Sequence, residues 1–151
     1  MLDDDRKVFY SYDSSWERTY YDERTGGFLV TQLARKYKHM SKNEKDVFLK
    51  EQCMGIRLAS FGFHMEHLYE QTGISSPDVI INGYKADLKQ LSSANNIYAE
   101  GKDAFEKKKA SLLIYEFTEH FSGIKRALEK LSEKGIHGLY YYSDEKEYYL
   151  F

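Results

Sequence analysis

The residues with the clearest chemical potential lie in one short stretch, positions 77–91, which reads PDVIINGYKADLKQL. Asn82-Gly83 is a strong signal for a two-residue hairpin turn, and the apolar run Val79-Ile80-Ile81 leads into it. Such a turn sets Ile81 opposite Tyr84, Ile80 opposite Lys85, Val79 opposite Ala86 and Asp78 opposite Asp87. Strand alternation then puts Asp78, Ile80, Lys85, Asp87 and Lys89 on one face and Val79, Ile81, Ala86 and Leu88 on the other, as core. Directly opposed residues hold their Cβ atoms roughly 4.5–5.5 Å apart, where like charges repel. Two carboxylates so placed share a proton or hold a cation between them. Oxygen ligands of this kind suit Mg²⁺ or Mn²⁺, so Asp78 and Asp87 are the candidate metal ligands. Lys89 lies two residues past Asp87 on the same face, where it can neutralise charge or position a water. Together these groups fit phosphodiester hydrolysis, which needs an activated water and relief of charge on a pentacovalent phosphate. The same residues also fit an ordinary charged face, with Asp78 and Lys89 paired or solvated.

A third carboxylate comes from the segment 42–60. Glu44 and Glu51 are one heptad apart and share a helical face, and Val47, Phe48, Met54 and Leu58 neighbour Glu51 at helical spacing. A carboxylate inside an apolar stripe is costly to bury unless paired or bound to metal. Glu51, ahead of Glu44, is therefore a candidate catalytic residue; the alternative is a side chain at the stripe's edge that reaches water. Basic residues for a nucleic-acid backbone are available at Lys85, in the run Lys107-Lys108-Lys109, and at Arg35, Lys36 and Lys38. Such runs are also ordinary solvated faces.

These groups need a scaffold to position them. Ser41 with Glu44 three residues later has capping-box spacing, which predicts a helix from Lys42 to Ser60 that stops near Gly62. Phe28–Leu33 and Phe63–Glu70 read as strands, and the hairpin supplies two more. Ile97–Lys109 reads as a helix. The apolar, β-prone Ser111–Phe117 reads as a central strand buried on both faces. Phe121–Glu133 shows helical spacing, and Gly138–Tyr142 and Glu147–Phe151 are short strands around the turn 143–146. Residues 1–25 are polar, rich in tyrosine and weakly periodic, and are expected to form an extended or irregular arm. Residues 26–151 are expected to form one domain. The predicted class is α/β or α+β, with a mixed central sheet flanked by helices.

Composition narrows the function classes. The chain has 151 residues, 42% of them hydrophobic, enough to bury a core. The net charge of −2 provides no basic excess, so a nucleic-acid partner must be held by a local patch. One cysteine, Cys53, rules out an internal disulfide and a cysteine-rich zinc site, and is expected to pack within its helix. The start at Met1 without a basic-then-apolar leader, and the lack of an apolar run near 20 residues, predict a free-standing cytoplasmic protein with no membrane partner. Fourteen tyrosines fit half-buried strand positions, or stacking on bases.

The segment PDVIINGYKADLK resembles the signature of PD-(D/E)xK nucleases, with Pro77-Asp78 as the first element and Asp87-Leu88-Lys89 as the second. The expected order helix, three strands, helix, strand over 42–117 is similar to the core of that superfamily. The resemblance implies a divalent-metal-dependent nuclease, with Asp78 and Asp87 as metal ligands, Lys89 as the catalytic lysine and Glu51 or Glu44 as the helix carboxylate. The stretch Gly55–Phe117 also resembles toxin-type nuclease domains of contact-dependent inhibition proteins and mobile elements, some of which cleave tRNA. There the acidic-x-Lys hairpin is followed by a Ser/Asn-rich step, here Ser92-Ser93-Ala94-Asn95-Asn96. This implies Ser92, Ser93 and Asn95, with Lys85, Lys107 and Lys108, as substrate contacts, and an immunity or antitoxin protein as partner.

A second group of such toxins, of the barnase/EndoU/colicin/RelE type, cleaves RNA without metal. In that case the RNA 2′-hydroxyl attacks its own phosphate, and Asp87, Lys89, Ser92, Ser93 and His64 or His67 are the candidates for acid and base. Otherwise the five scattered histidines read as surface or interface residues. His64 and His67, three apart, face opposite ways on a strand. A non-catalytic, protein-binding mobile-element protein is the remaining alternative. DNA and RNA remain equally open as substrates.

Overall fold

The computed structural model describes residues 2–34, 39–69 and 76–151. The chain divides into two compact units, Met1–Ile74 with Asp78–Gly83, and Ser75–Pro77 with Tyr84–Phe151. Both combine strands and helices, and the sheet pairing is mixed, in line with the α+β expectation. The basic residues Arg35, Lys36 and Lys38 lie outside the described residues.

The first unit holds α1 (Leu2–Ser11), β1 (Trp16–Tyr21), β2 (Phe28–Gln32), α2 (Lys42–Ser60), β3 (His64–His67) and β4 (Val79–Ile81). β1 and β2 are antiparallel, β2 and β3 parallel, and β3 and β4 antiparallel. The stretch expected to be an extended arm therefore contains a helix and a strand. What fixes it is an aromatic cluster: Phe9 of α1 is buried with Phe28 and Val30, and Tyr12, Trp16 and Tyr21 pack around them. The weak periodicity of residues 1–25 concealed this, because few aromatic contacts, all of them tertiary, hold the segment.

α2 starts as the sequence indicates. The Glu44 N–H donates to Ser41 Oγ and the Ser41 N–H donates to Glu44 Oε1, both at 3.3 Å, which closes the capping box. The helix buries Glu51, Met54, Gly55, Leu58 and Ala59. Val47 and Cys53, expected to pack, are exposed instead. Cys53 lies on the face opposite the buried stripe, and Val47, on the stripe's side, precedes its first buried residue, Glu51.

The turn between β1 and β2 is built around Asp22. Its Oδ1 accepts from the N–H of Arg24 (2.8 Å) and of Thr25 (3.0 Å), and Tyr20 Oη lies 3.3 Å from Oδ2. Burial alone would push the Asp22 carboxyl up. The two backbone N–H groups, with Tyr20 and the nearby Arg24 charge, outweigh that and hold it below the ordinary carboxylate value. A carboxylate depressed on folding contributes stability above its unfolded pKa, and that stability is lost as pH falls through the folded value. Asp22→Asn is accordingly expected to be less stable than the wild type at pH 7, with the gap closing below about pH 4. Urea midpoints measured across that range check it, and a gap independent of pH would contradict it.

The second unit holds β5 (Tyr84–Leu91), α3 (Ile97–Lys107), β6 (Leu112–Phe117), α4 (Ile124–Glu133), β7 (Gly138–Tyr142) and β8 (Tyr148–Leu150). β5 and β6 are parallel, β6 and β7 are parallel, and β8 is antiparallel to β7. The core gathers Ile97 and Ala104 from α3, Leu113, Tyr115 and Phe117 from β6, and Ile124, Leu128 and Leu131 from α4. β6 is buried along most of its length, as its apolar run predicts. Gly101 permits the close approach of α3 to this strand: a Cβ there would collide with the Tyr115 hydroxyl. Read along the chain, α2-β3-β4-β5-α3-β6 reproduces the expected core order.

Candidate functional site

The predicted hairpin turn is present. Asn82 (φ 47°) and Gly83 (φ 87°) both adopt positive φ, the conformation a two-residue primed turn demands, and the chain passes there from β4 into β5. In the first unit, Val79 and Ile81 are buried as predicted. Asp78 is also buried, at 4% exposure, so it is not a solvated face residue.

In the second unit, Asp87 is fully buried in the middle of β5, between buried Ala86 and Leu88. Lys89 Nζ lies 3.0 Å from its Oδ2 and Lys108 Nζ lies 3.0 Å from its Oδ1. A buried carboxylate is tolerated when ammonium groups replace its lost hydration. Lys89 arrives by strand alternation, two residues along β5. Lys108 arrives by tertiary folding, because it caps the C-terminal end of α3, the end of a helix that favours a cation. Both ammonium groups remain partly open to solvent, with side-chain exposures of 22% and 33%. Two ammonium groups thus meet at one carboxylate.

The neighbouring Tyr115 is pushed well above the ordinary phenol value by burial, and further by the negative charges of Glu100 and Asp87. It stays a neutral donor to the Ile97 carbonyl at 3.0 Å. Lys85, Ser92, Ser93 and Asn95 are exposed. Lys107 is exposed and sits 3.4 Å from Asp103 on its own helix. Lys108, grouped in the sequence with Lys107 as a substrate contact, lies on Asp87.

The first unit contains a second buried polar group, centred on Glu51. Its Oε1 is 3.2 Å from His67 Nε2, and the two side chains are 7% and 1% exposed. His67 Nδ1 is 2.7 Å from Gln52 Nε2, and that amide also donates to Thr31 Oγ1 at 2.9 Å. Thr31 in turn shares a hydrogen bond with Thr19 at 2.7 Å. With Gln52 donating to Nδ1, the imidazole carries its proton on Nε2 and gives it to Glu51. Phe48 stacks on the His67 ring at 5.2 Å and 14°. Glu51 is thus a buried, oriented carboxylate and does not reach water at the edge of the stripe.

From the sequence, His67 is a candidate acid or base of the metal-free alternative or else a surface or interface residue, and neither Gln52 nor Thr31 stands out. One signal was available: His64 and His67 oppose each other on β3, so one of them must face inward. His64 turns to Asp5 at 3.0 Å with 29% side-chain exposure, and His67 is the buried one.

No protein-family model matches the chain, and no curated protein matches its sequence. Among solved structures, the chain is similar to one chain of a CdiA-CT/CdiI toxin and immunity complex from Burkholderia pseudomallei. The TM-score is 0.56 at 17% identity, over 74% of this chain and 89% of that one. That likeness concerns the fold: the α+β architecture is shared with a component of a toxin–immunity system.

Proposed function

We propose that the protein is a nuclease that cleaves phosphodiester bonds in RNA or DNA, and that it works within a toxin–immunity pair. The observation that carries the reading is Asp87, a fully buried carboxylate with Lys89 and Lys108 each 3.0 Å from one of its oxygens. Strongly desolvated charges with specific partners concentrate at functional sites. Here they fall on the acidic-x-Lys element that the sequence singles out.

In this reading Lys89 stabilises the negative charge that develops on the phosphate. Lys108 fixes Asp87 and adds positive charge. The metal-ligand role proposed for Asp78 and for Asp87 rests on the sequence spacing and the resemblance. Both are buried carboxylates, the oxygen-donor type that a hard divalent ion takes. A bound Mg²⁺ or Mn²⁺ would supply an activated water and further charge relief. Within the first unit, Glu51, oriented by His67, is the helix carboxylate that the sequence resemblance offers as a further catalytic residue. Lys85, Lys107, Ser92, Ser93 and Asn95, exposed in the second unit, are the proposed contacts to the nucleic-acid backbone and bases. The partner in the pair is an immunity-type protein, a proposal supported by the fold likeness to a chain from a toxin–immunity complex.

The test is incubation of purified protein with tRNA, total RNA, single-stranded DNA and duplex DNA, in Mg²⁺, Mn²⁺ or EDTA. Cleavage of one of these with metal, and none in EDTA, is the expected result. RNA products ending in a cyclic phosphate and formed in EDTA would replace the metal-dependent mechanism with 2′-hydroxyl attack. An intact substrate under every condition would remove the nuclease reading.

A further inference from the structure

A second cluster of chemically competent side chains lies within the second unit, away from the proposed catalytic groups in sequence and unused by them. Among the described residues, His120, Asp144 and Glu145 each offer one ligand atom, and these atoms all lie within 4.8 Å of one another. His120 Nε2 is 2.9 Å from Asp144 Oδ1 and 3.4 Å from Glu145 Oε2.

We propose that His120, Asp144 and Glu145 form a binding site for a first-row divalent transition metal, with Zn²⁺ as its simplest occupant. The separations carry the argument. Zinc holds imidazole nitrogen and carboxylate oxygen at about 2.0–2.2 Å, so adjacent donors of a tetrahedral site stand about 3.3 Å apart. The nitrogen already stands at such spacings from both oxygens, 2.9 and 3.4 Å, and the three atoms all lie within 4.8 Å of one another. A nitrogen with two oxygens suits zinc, manganese or cobalt and is unlike the oxygen-only set that magnesium takes.

The surrounding structure holds these ligands in position. His120 follows β6 and Asp144–Glu145 follow β7. The two strands are parallel, so both loops leave the same carboxyl edge of the sheet, which is where α/β sheets bind ligands. The ends of the strands are tied together by the Ser143 N–H donating to the Phe117 carbonyl at 2.9 Å. The His120 ring is stacked on Tyr142 at 3.8 Å and 11°, which fixes its plane. Tyr149 Oη donates to Glu145 Oε1 at 2.8 Å and leaves Oε2 for the ligand position. Second partners of this kind orient metal ligands and tune their affinity. Side-chain exposures of 48%, 67% and 34% leave room for water at the remaining coordination positions.

The experiment is titration of the tag-free, full-length protein with Zn²⁺ by calorimetry and with Co²⁺ by visible absorption. It is run on the wild type, His120→Ala, Glu145→Gln and, as a control, His39→Ala, which removes an exposed histidine outside the cluster. The wild type and His39→Ala should bind alike, and the two cluster variants at least tenfold more weakly. Because His120 and Glu145 are solvent-accessible, these variants should keep the wild-type melting temperature without metal. Equal Zn²⁺ affinity in the wild type and His120→Ala, or no uptake at millimolar metal, would overturn the assignment. So would an equal loss of binding in His39→Ala. Since no cleavage is measured, the outcome is independent of the nuclease proposal.

Discussion

Lys89→Ala is expected to slow phosphodiester cleavage by about 10²–10³-fold, the usual cost of removing one group aimed at charge that develops in the transition state. Lys89 Nζ lies 3.0 Å from Asp87 Oδ2, with the side chain 22% exposed. It is therefore anchored at one side and still open to an approaching phosphate. Lys89→Arg should recover little, because a planar fork does not reproduce a compact ammonium group held on one carboxylate oxygen.

Asp87→Asn should be at least as damaging to the rate. An amide keeps the shape but offers one acceptor oxygen where two ammonium groups now bind, and it carries no charge to hold a metal. Its effect on stability should be much smaller, since Lys89 and Lys108 are both near enough to the surface to take up water. Single-turnover rates beside melting curves make the distinction. A wild-type rate for Lys89→Ala, with a wild-type melting curve, would remove this lysine from the mechanism.

His67→Leu should cost roughly 3 kcal/mol of stability, the second large effect expected. The histidine is 1% exposed and bridges two groups, Glu51 at 3.2 Å and Gln52 at 2.7 Å. Leucine takes away the donor that Glu51 uses and the acceptor that Gln52 uses, and leaves both polar side chains to be satisfied by what remains. The test of that cause is the double variant Glu51→Met/His67→Leu. Replacing both members of a buried polar pair with apolar groups of similar size is far less costly than removing one. The double variant should therefore be more stable than the sum of the two single changes predicts. Denaturant midpoints for the four proteins of this cycle give the coupling directly. Additive losses would mean that Glu51 and His67 do not depend on each other.

Much of the local structure was legible in advance. The start of α2 follows from Ser41 and Glu44, because a capping box satisfies orphan N–H groups within four residues of chain. Asn82-Gly83 announces its turn because only residues that tolerate positive φ can make it. β6 announces itself through an apolar run suited to burial on both faces. Each of these signals is short-range, and each survived folding unchanged.

The sequence was least informative where contacts between distant segments decide the outcome. α1 and β1 carry little periodicity and are held by Phe9, Phe28 and Tyr12, which meet only after folding. Nothing near Lys108 in the sequence points to an aspartate twenty-one residues earlier, and nothing near Glu51 points to His67 sixteen residues later. By itself the sequence determined the turn, the start of α2, the element order from α2 to β6 and which acidic and basic residues to single out, since these rest on spacing along one strand or helix. Only the tertiary structure decided the burial of Asp87, the second lysine on it and the histidine that orients Glu51. Desolvation and pairing between remote side chains exist only once the elements have packed.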